Sequence, residues 1–424
     1  MLSLAACAPS EVDDLFDESP AARLDNAINN YTELLKSNGG RWLMRYFANP
    51  EEEGYNFIMT FHDDGSVDIS TQNSYVNDGA FYTDRSLWQV VSDYGPVLSF
   101  NTYNKAFHVF SSPQSDGSGH EGDYEFMILS ADENTVKLRG KKSRDKGTVI
   151  DMVMTRLSTD EYPTDEDYFT ALANRRARAF SSRIINYVLT TANGKRYICN
   201  DVTSMLWSFY PEDGSLLDNG EYMNAIITQD GVYFMEPLSF VTEYNENDIP
   251  LQNFTFQEDG SLLCVDDGAS VITGPDRVDA LQQSSATWTV NNSNLGGEFV
   301  SIYADIVTQC KSVFNQTFNW IQFKYNNNTA KFGIYFKNGR YTGNIYLDVI
   351  KVDSNTVRFA FDPNNDDYFD NNGKTHYTRL ESLQRFIQLL TSGELTLSSE
   401  NVMVPNPMVL TSKSNSANYI TVGF

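Results

Sequence analysis

Residues 95–142 read GPVLSFNTYNKAFHVFSSPQSDGSGHEGDYEFMILSADENTVKLRGKK, and this stretch decides the fold. Apolar and polar residues alternate over four short segments, 97–103, 107–110, 124–129 and 135–140. Between them stand the turn-forming runs Tyr103-Asn104-Lys105, Asp116-Gly117-Ser118 and Asp132-Glu133-Asn134. A period of two sends successive side chains to opposite faces, and Asn, Asp and Gly turn the chain. The stretch therefore reads as consecutive antiparallel strands.

Working towards the N-terminus, Tyr55, Phe57, Met59 and Phe61 alternate with Asn56, Ile58 and Thr60, and His62-Asp63-Asp64-Gly65 turns into a strand at 67–69. A further strand is read near 87–91, and 149–157 closes the set. That gives roughly nine strands joined by short turns, and a meander of this length removes its edges by rolling up. Ahead of it, Leu24, Ala27, Ile28, Tyr31, Leu34 and Leu35 recur at three- and four-residue spacing. This predicts an amphipathic helix with Ser19 as its cap, Pro20 in its first turn and Asn38-Gly39-Gly40 as its stop.

Towards the C-terminus, the acidic STDEYPTDED around 158–167 marks a boundary, followed by an expected helix over about 167–191 that Asn193-Gly194 ends. The chain then echoes itself. INNYTELLKSNGGRW (28–42) is matched by IINYVLTTANGKRY (184–197), each with Asn-Gly, one residue, Arg and an aromatic. Asp64-Gly65-Ser66 matches Asp213-Gly214-Ser215, and Leu98-Ser99-Phe100 matches Leu238-Ser239-Phe240. Asn134-Thr135-Val136 matches Asn355-Thr356-Val357, and Thr155-Arg156-Leu157 matches Thr378-Arg379-Leu380. Five echoes in one order predict an internal repeat. The fold class is mainly β with few helices: two helix-plus-antiparallel-meander units, each a lipocalin-like barrel or rolled sandwich. The expected domains are a tether at 1–18, a first unit at 19–157, a linker at 158–167 and a larger second unit at 168–424. The second carries inserted hairpins, about 80 extra residues in all, and a short helix near 380–390.

The motifs LSFNTYN, the glycine-rich run into GDYEF, and LRGKK resemble a family of secreted Bacteroidota lipoproteins of unknown function. The resemblance is clearest over residues 1–157. It implies a compartment, the cell outer membrane facing outward, and a partner, the SusC/SusD-like nutrient importers that such lipoproteins accompany. Leu4-Ala5-Ala6-Cys7 fits a lipobox, with Cys7 as the lipidation site and Glu11, Asp13, Asp14, Asp17 and Glu18 as an acidic tether. The apolar run before Cys7 is only about six residues and lacks a basic region, so the true start is expected upstream. No run of 18 or more apolar residues is present, so attachment to the membrane is expected through the lipid alone.

A net charge of −25 disfavours nucleic acid, whose affinity needs cations facing phosphate. Cys199, Cys264 and Cys310 are widely spaced, fit no CxxC motif and read as small buried side chains. His62, His108, His120 and His376 form no metal-ligand pattern, and no cofactor motif is present. The acidic loop 362–373 gathers Asp362, Asn364, Asp366, Asp367 and Asp370 but lacks the Gly and Glu of a calcium loop, and reads as a solvated turn. Trp88, Tyr103, Trp207, Trp288 and Trp320 are candidates for stacking on sugars, against a core role.

One basic run stands out: Lys137, Arg139, Lys141, Lys142, Arg144 and Lys146. Lys137, Arg139 and Lys141 share a strand face, which makes a candidate ridge for an anionic partner, against a hairpin kept soluble by its charge. With no catalytic motif in view, the function expected is a non-catalytic accessory binding or docking subunit of SusC/SusD-like glycan or peptide import. The alternatives are a lipocalin-like carrier of a small apolar ligand and an unrecognised glycan hydrolase.

Overall fold

The structure is a computed structural model that describes residues 18–112, 119–145, 147–213, 222–238 and 249–424. Cys7, Lys146, Gly214, Ser215, Ser239 and Phe240 lie outside the described residues. The chain divides into two compact units, one reaching Phe169 and the other beginning at Thr170. Each is built mainly from rolled antiparallel sheet.

The first unit contains β1 (Arg41–Tyr46), β2 (Tyr55–Phe61), β3 (Ser66–Thr71), β4 (Tyr82–Leu87), β5 (Gln89–Ser92), β6 (Pro96–Ser99), β7 (Glu125–Ala131), β8 (Thr135–Gly140) and β9 (Asp151–Arg156). They form one nine-stranded sheet in the order β4-β3-β2-β1-β9-β8-β7-β6-β5. Its two edge strands, β4 and β5, are joined through Trp88 alone, so one bent run pairs with β3 by its first half and with β6 by its second. The sheet thus rolls back on itself, and the chain completes the turn. The free edge of β4 is covered: Leu87 N–H donates to Thr102 Oγ1 at 2.7 Å, and Asn104 Nδ2 donates to Asp84 O at 3.1 Å. An edge left bare would invite pairing with another chain.

Helix α1 (Pro20–Lys36) is capped by Ser19, whose Oγ accepts Ala22 N–H at 3.2 Å. It lies at the end of the barrel where β1 begins and β9 ends. There Trp42 Nε1 donates to Leu35 O at 2.9 Å, and the Arg156 guanidinium, 3.6 Å above the Trp42 ring, donates to Ser37 O at 2.8 Å. These donors satisfy carbonyls that a helix end leaves without partners. The turn into β1 runs through Asn38, Gly39 and Gly40 at positive φ. A Cβ on Gly40 would fall 2.2 Å from Phe61 O, so only glycine fits.

Segment 107–110, read as a strand, is instead part of a plug. A helical turn, Lys105–His108, starts on Asn104 O, which accepts Phe107 and His108 N–H. Phe107 and Phe110 share one side at three-residue spacing and enter a cluster with Tyr46, Phe57 and Phe126. Ring centroids there lie 5.1–6.4 Å apart, mostly edge-on, the favoured geometry for aromatic pairs. With the bent run β4–β5 counted as one, the rolled sheet has eight strands around it, a size just wide enough for its own side chains, and these rings occupy it.

Helix α2 (Asp165–Ala179) begins in the first unit. Asp165 accepts from Arg41 Nε at 2.8 Å and from Ser70 Oγ at 2.6 Å, while Arg41 also donates to Tyr162 O at 2.5 Å. The run 158–167, read as a linker, is therefore pinned to the sheet by a buried arginine, and its last three residues already begin α2.

The second unit holds two closed barrels. The first comprises β10 (Tyr187–Thr190), β11 (Arg196–Asn200), β12 (Leu206–Pro211), β13 (Tyr222–Ile227), β14 (Gly231–Phe234), β15 (Asn253–Phe256), β16 (Leu262–Cys264) and β17 (Val271–Thr273). The second comprises β18 (Trp288–Leu295), β19 (Phe318–Asn326), β20 (Lys331–Asn338), β21 (Tyr341–Asp353), β22 (Thr356–Ala360), β23 (Glu394–Ser398), β24 (Met408–Ser412) and β25 (Tyr419–Gly423). The sequence predicts one meander with inserted hairpins here, and the ladders close two barrels in its place. Helix α3 (Glu298–Phe314), which the sequence reading missed, packs Phe299 on Phe386 of α5 (Glu381–Leu390), with α4 (Asn371–Arg379) just before it.

The echoes do not mark equivalent places. Asn38-Gly39 ends a helix, whereas Asn193-Gly194 turns a hairpin between β10 and β11. The helix expected to 191 stops at Ala179, because Tyr187-Val188-Leu189-Thr190 favours strand and Asn-Gly is the preferred hairpin turn. Thr155-Arg156 closes β9, while Thr378-Arg379 ends α4. Of the remaining three pairs, two reach beyond the described residues, and Asn134-Thr135-Val136 and Asn355-Thr356-Val357 each mark an ordinary hairpin turn into a strand.

Candidate functional site

The basic run does not form an open ridge. Lys137 is exposed on β8, but Arg139 Nε and Nη2 hold both oxygens of Asp151 at 2.5 and 2.7 Å. The strand stops at Gly140, so Lys141 starts a helical turn (Lys141–Asp145) and leaves the face that strict alternation assigns to it. Its Nζ pairs with Asp93 and with Glu125, the latter at 3.1 Å, and these two carboxylates raise its pKa. Lys142 gives its backbone N–H to Asp123 Oδ1 at 2.5 Å. Arg144 pairs with Asp145. Sequence counts cations, but the fold sets acids from neighbouring elements beside Arg139 and Lys141, and Arg144 pairs within its own turn. Lys137 and Lys142 keep side chains with no ion pair among the described residues.

The other polar candidates are spent on the fold. His62 and Arg85 share Asp68, whose pKa is lowered chiefly by the Arg85 hydrogen bonds. His120 is buried and holds Glu52 at 2.7 Å. His376 is packed between Phe314 and Phe336, with Nδ1 on Asn372 O at 2.6 Å. In the acidic loop, Asp370 caps α4 by accepting Gly373 N–H, Asp366 pairs with Lys374, and Asp348 accepts the Tyr368 hydroxyl. Cys199, Cys264 and Cys310 are buried free thiols, and burial pushes Cys264 up to about 12 and Cys310 to about 11. Trp88, Trp207 and Trp288 are core residues, and Trp320 is half-buried on β19.

Tyr103 is different. It is 66% exposed, on the loop leading into the plug, and its ring lies 5.5 Å from that of His108 at a tilt of 36°. His108 lies 5.5 Å from Tyr124, tilted 33°, and Tyr124 is 39% exposed at the start of β7. Three rings thus form a ladder, Tyr103–His108–Tyr124, with its two ends open to water. The middle rung is fixed: His108 Nδ1 accepts Asn104 N–H at 3.1 Å and Nε2 reaches Phe100 O at 3.2 Å. Those partners require a neutral ring with hydrogen on Nε2, and burial lowers its pKa accordingly. Beneath it, Phe107 packs in the barrel, so the plug that fills the interior also presents the ladder.

Sequence reading found Tyr103 and passed over His108 and Tyr124. The spacing of Phe107 and Phe110 was the available signal, since a helical turn that buries both turns His108 away from them. Two aromatic rings flanking an uncharged third make an apolar strip with polar hydroxyl tips, suited to a flat ligand face such as a sugar ring.

No curated protein matches the chain. A family model described as a domain of unknown function, DUF4302, matches residues 12–253. That span holds the whole first sheet, including all three rungs of the ladder, and β10–β14 of the first closed barrel. Covered over more than half of its 424 residues, the chain belongs to the DUF4302 family.

Proposed function

We propose that this chain is a non-catalytic binding module carried on the outside of a Bacteroidota cell by a lipid on Cys7, serving a SusC/SusD-like importer. Its ligand is a glycan laid against Tyr103, His108 and Tyr124. The observation that carries this reading is the ladder itself: two tyrosines that remain exposed, held in register by a histidine whose two nitrogens are both engaged. A rigid platform loses little entropy when it binds, which favours recognition through a few rings. The carrier alternative is weakened by the aromatic rings that occupy the described barrel interior.

The test is affinity electrophoresis of the full chain in gels containing neutral polysaccharides. Retardation is expected for the parent and loss of it for Tyr103→Ala with Tyr124→Ala. Each ring is expected to contribute about 1 kcal/mol, or roughly fivefold in affinity. Unchanged retardation of the double variant overturns the reading, and its melting temperature, expected near that of the parent, excludes misfolding as the cause. For the anchor, Cys7→Ala should move the protein from the membrane fraction to the soluble one, and continued membrane association overturns lipidation at that residue.

A further inference from the structure

A groove of about 760 Å3 opens in the second unit, where the end of α2 meets the β15–β16 turn and the segment between β23 and β24. It falls within the roughly 300–1,000 Å3 typical of small-ligand sites. One wall carries Arg175 and Arg178, three residues apart on α2. The Arg175 guanidinium stacks on the Phe256 ring at 5.0 Å, which leaves its N–H edge free to point elsewhere. Neither arginine has an ion-pair partner among the described residues, in a chain of net charge −25. Glu258, Asp259 and Glu400 also line the groove.

Its lining also includes Ser399 and Thr421. Thr421 is 2% exposed, and neither hydroxyl has a hydrogen-bond partner among the described residues. Both hydroxyl oxygens are shut off from solvent, so they stand behind the wall that a ligand would touch. The rim is held in place. Asn401 donates to Arg178 O at 2.9 Å and accepts from Met403 and Val404 N–H at 2.9 and 3.1 Å. Asn406 donates to Phe424 O and accepts Phe424 N–H. A Cβ on Gly274 would lie 2.2 Å from Met403 O, so the loop rests directly on the neighbouring barrel's backbone.

We propose that this groove binds an acidic oligosaccharide, one uronic acid among neutral sugars, with the carboxylate held by Arg175 and Arg178. The guanidinium fork matches a carboxylate by two parallel hydrogen bonds. Neutral sugar hydroxyls donate to Glu258, Asp259 and Glu400. A densely charged polyanion is disfavoured by those three carboxylates. A peptide is disfavoured because both barrels here are closed, and closed barrels present no strand edge for a backbone to join. The site lies outside the ladder of the first unit, so either can fail alone.

Calorimetry on the full chain tests this with four probes: glucuronosyl xylotriose, its methyl ester, a galacturonate–rhamnose tetrasaccharide, and an aspartyl-arginyl dipeptide. At least one uronate probe is expected to bind, and the methyl ester about tenfold more weakly than its parent acid. Arg178→Gln should weaken the acid about tenfold and leave the ester unchanged. Tyr103→Ala with Tyr124→Ala should leave binding here intact, which separates this site from the ladder. No binding of either uronate probe at millimolar concentration overturns the proposal, as does equal binding of acid and ester or preference for the dipeptide. Should Arg178→Gln melt lower than the parent, Arg178→Lys decides: it keeps the charge without the fork, and unimpaired binding of the acid by it overturns the bidentate contact.

Discussion

At the residue scale, His108 shows how one side chain couples fold and platform. Its folded pKa lies below the usual 6.5 because burial disfavours the charged ring. A depressed folded pKa means that stability is complete above about pH 6.5 and is lost as the pH falls through the folded value. His376 is shifted the same way, also by burial, so the two add. The melting temperature should therefore fall between pH 7 and pH 5, and NMR titration should place both imidazole midpoints below 6.5. A midpoint at or above that value for His108 would refute the neutral rung. Protonation puts a hydrogen on Nδ1 against the Asn104 N–H, so glycan affinity should weaken over the same range. Sequence reading could name Tyr103 as a stacking candidate because exposure of a loop tyrosine is a modest inference. It could not see that Arg139 and Lys141 are neutralised, because Asp151, Asp93 and Glu125 reach them only across strands.

Among the elements, the hairpin turning at Asn193-Gly194 and the helix stop at Asn38-Gly39-Gly40 share a sequence signature and differ in what surrounds them. Gly194 has φ +82 and no atom within 4 Å of the place a methyl would take, so Gly194→Ala meets only backbone strain, about 1–2 kcal/mol. Gly40 has φ +64 and Phe61 O in the way, so Gly40→Ala must also displace β2 and is expected to cost about 3 kcal/mol or more. Urea unfolding of both variants checks the order, and equal costs would show that the close approach to Phe61 is unimportant. Strands were legible wherever alternation was strict, as in β2, β7 and β8. The plug was not, because a four-residue apolar run fits either period. Helix α3 was legible in principle: Phe299, Ile302, Tyr303, Ile306 and Cys310 are its buried stripe, yet the run lay inside a stretch read as an insertion of hairpins.

For the whole molecule, the mainly β, barrel-like class could be read from alternation and short turns, whereas the number of barrels could not. Which strand closes on which is a matter of long-range ladders, and a sequence echo does not record them. The boundary can be tested by truncation. A fragment of residues 19–169 keeps Asp165 and Tyr162 for Arg41, while 19–157 leaves that arginine, 7% exposed along its side chain, without its partners. Breaking a buried pair costs about 3–5 kcal/mol, against at most about 1 for an exposed pair such as Arg139–Asp151. The shorter fragment should unfold at clearly lower urea, and coincident curves would show the clamp to be dispensable. In every barrel the first and last strands also lie side by side: β1 with β9, β10 with β17, β18 with β25. The chain therefore leaves each barrel at the spot where it entered. Circular permutation of any one barrel, by joining its old ends and opening another turn, leaves every ladder in register. By the same geometry a gene can gain or shed an entire barrel between two neighbouring codons without re-threading the rest.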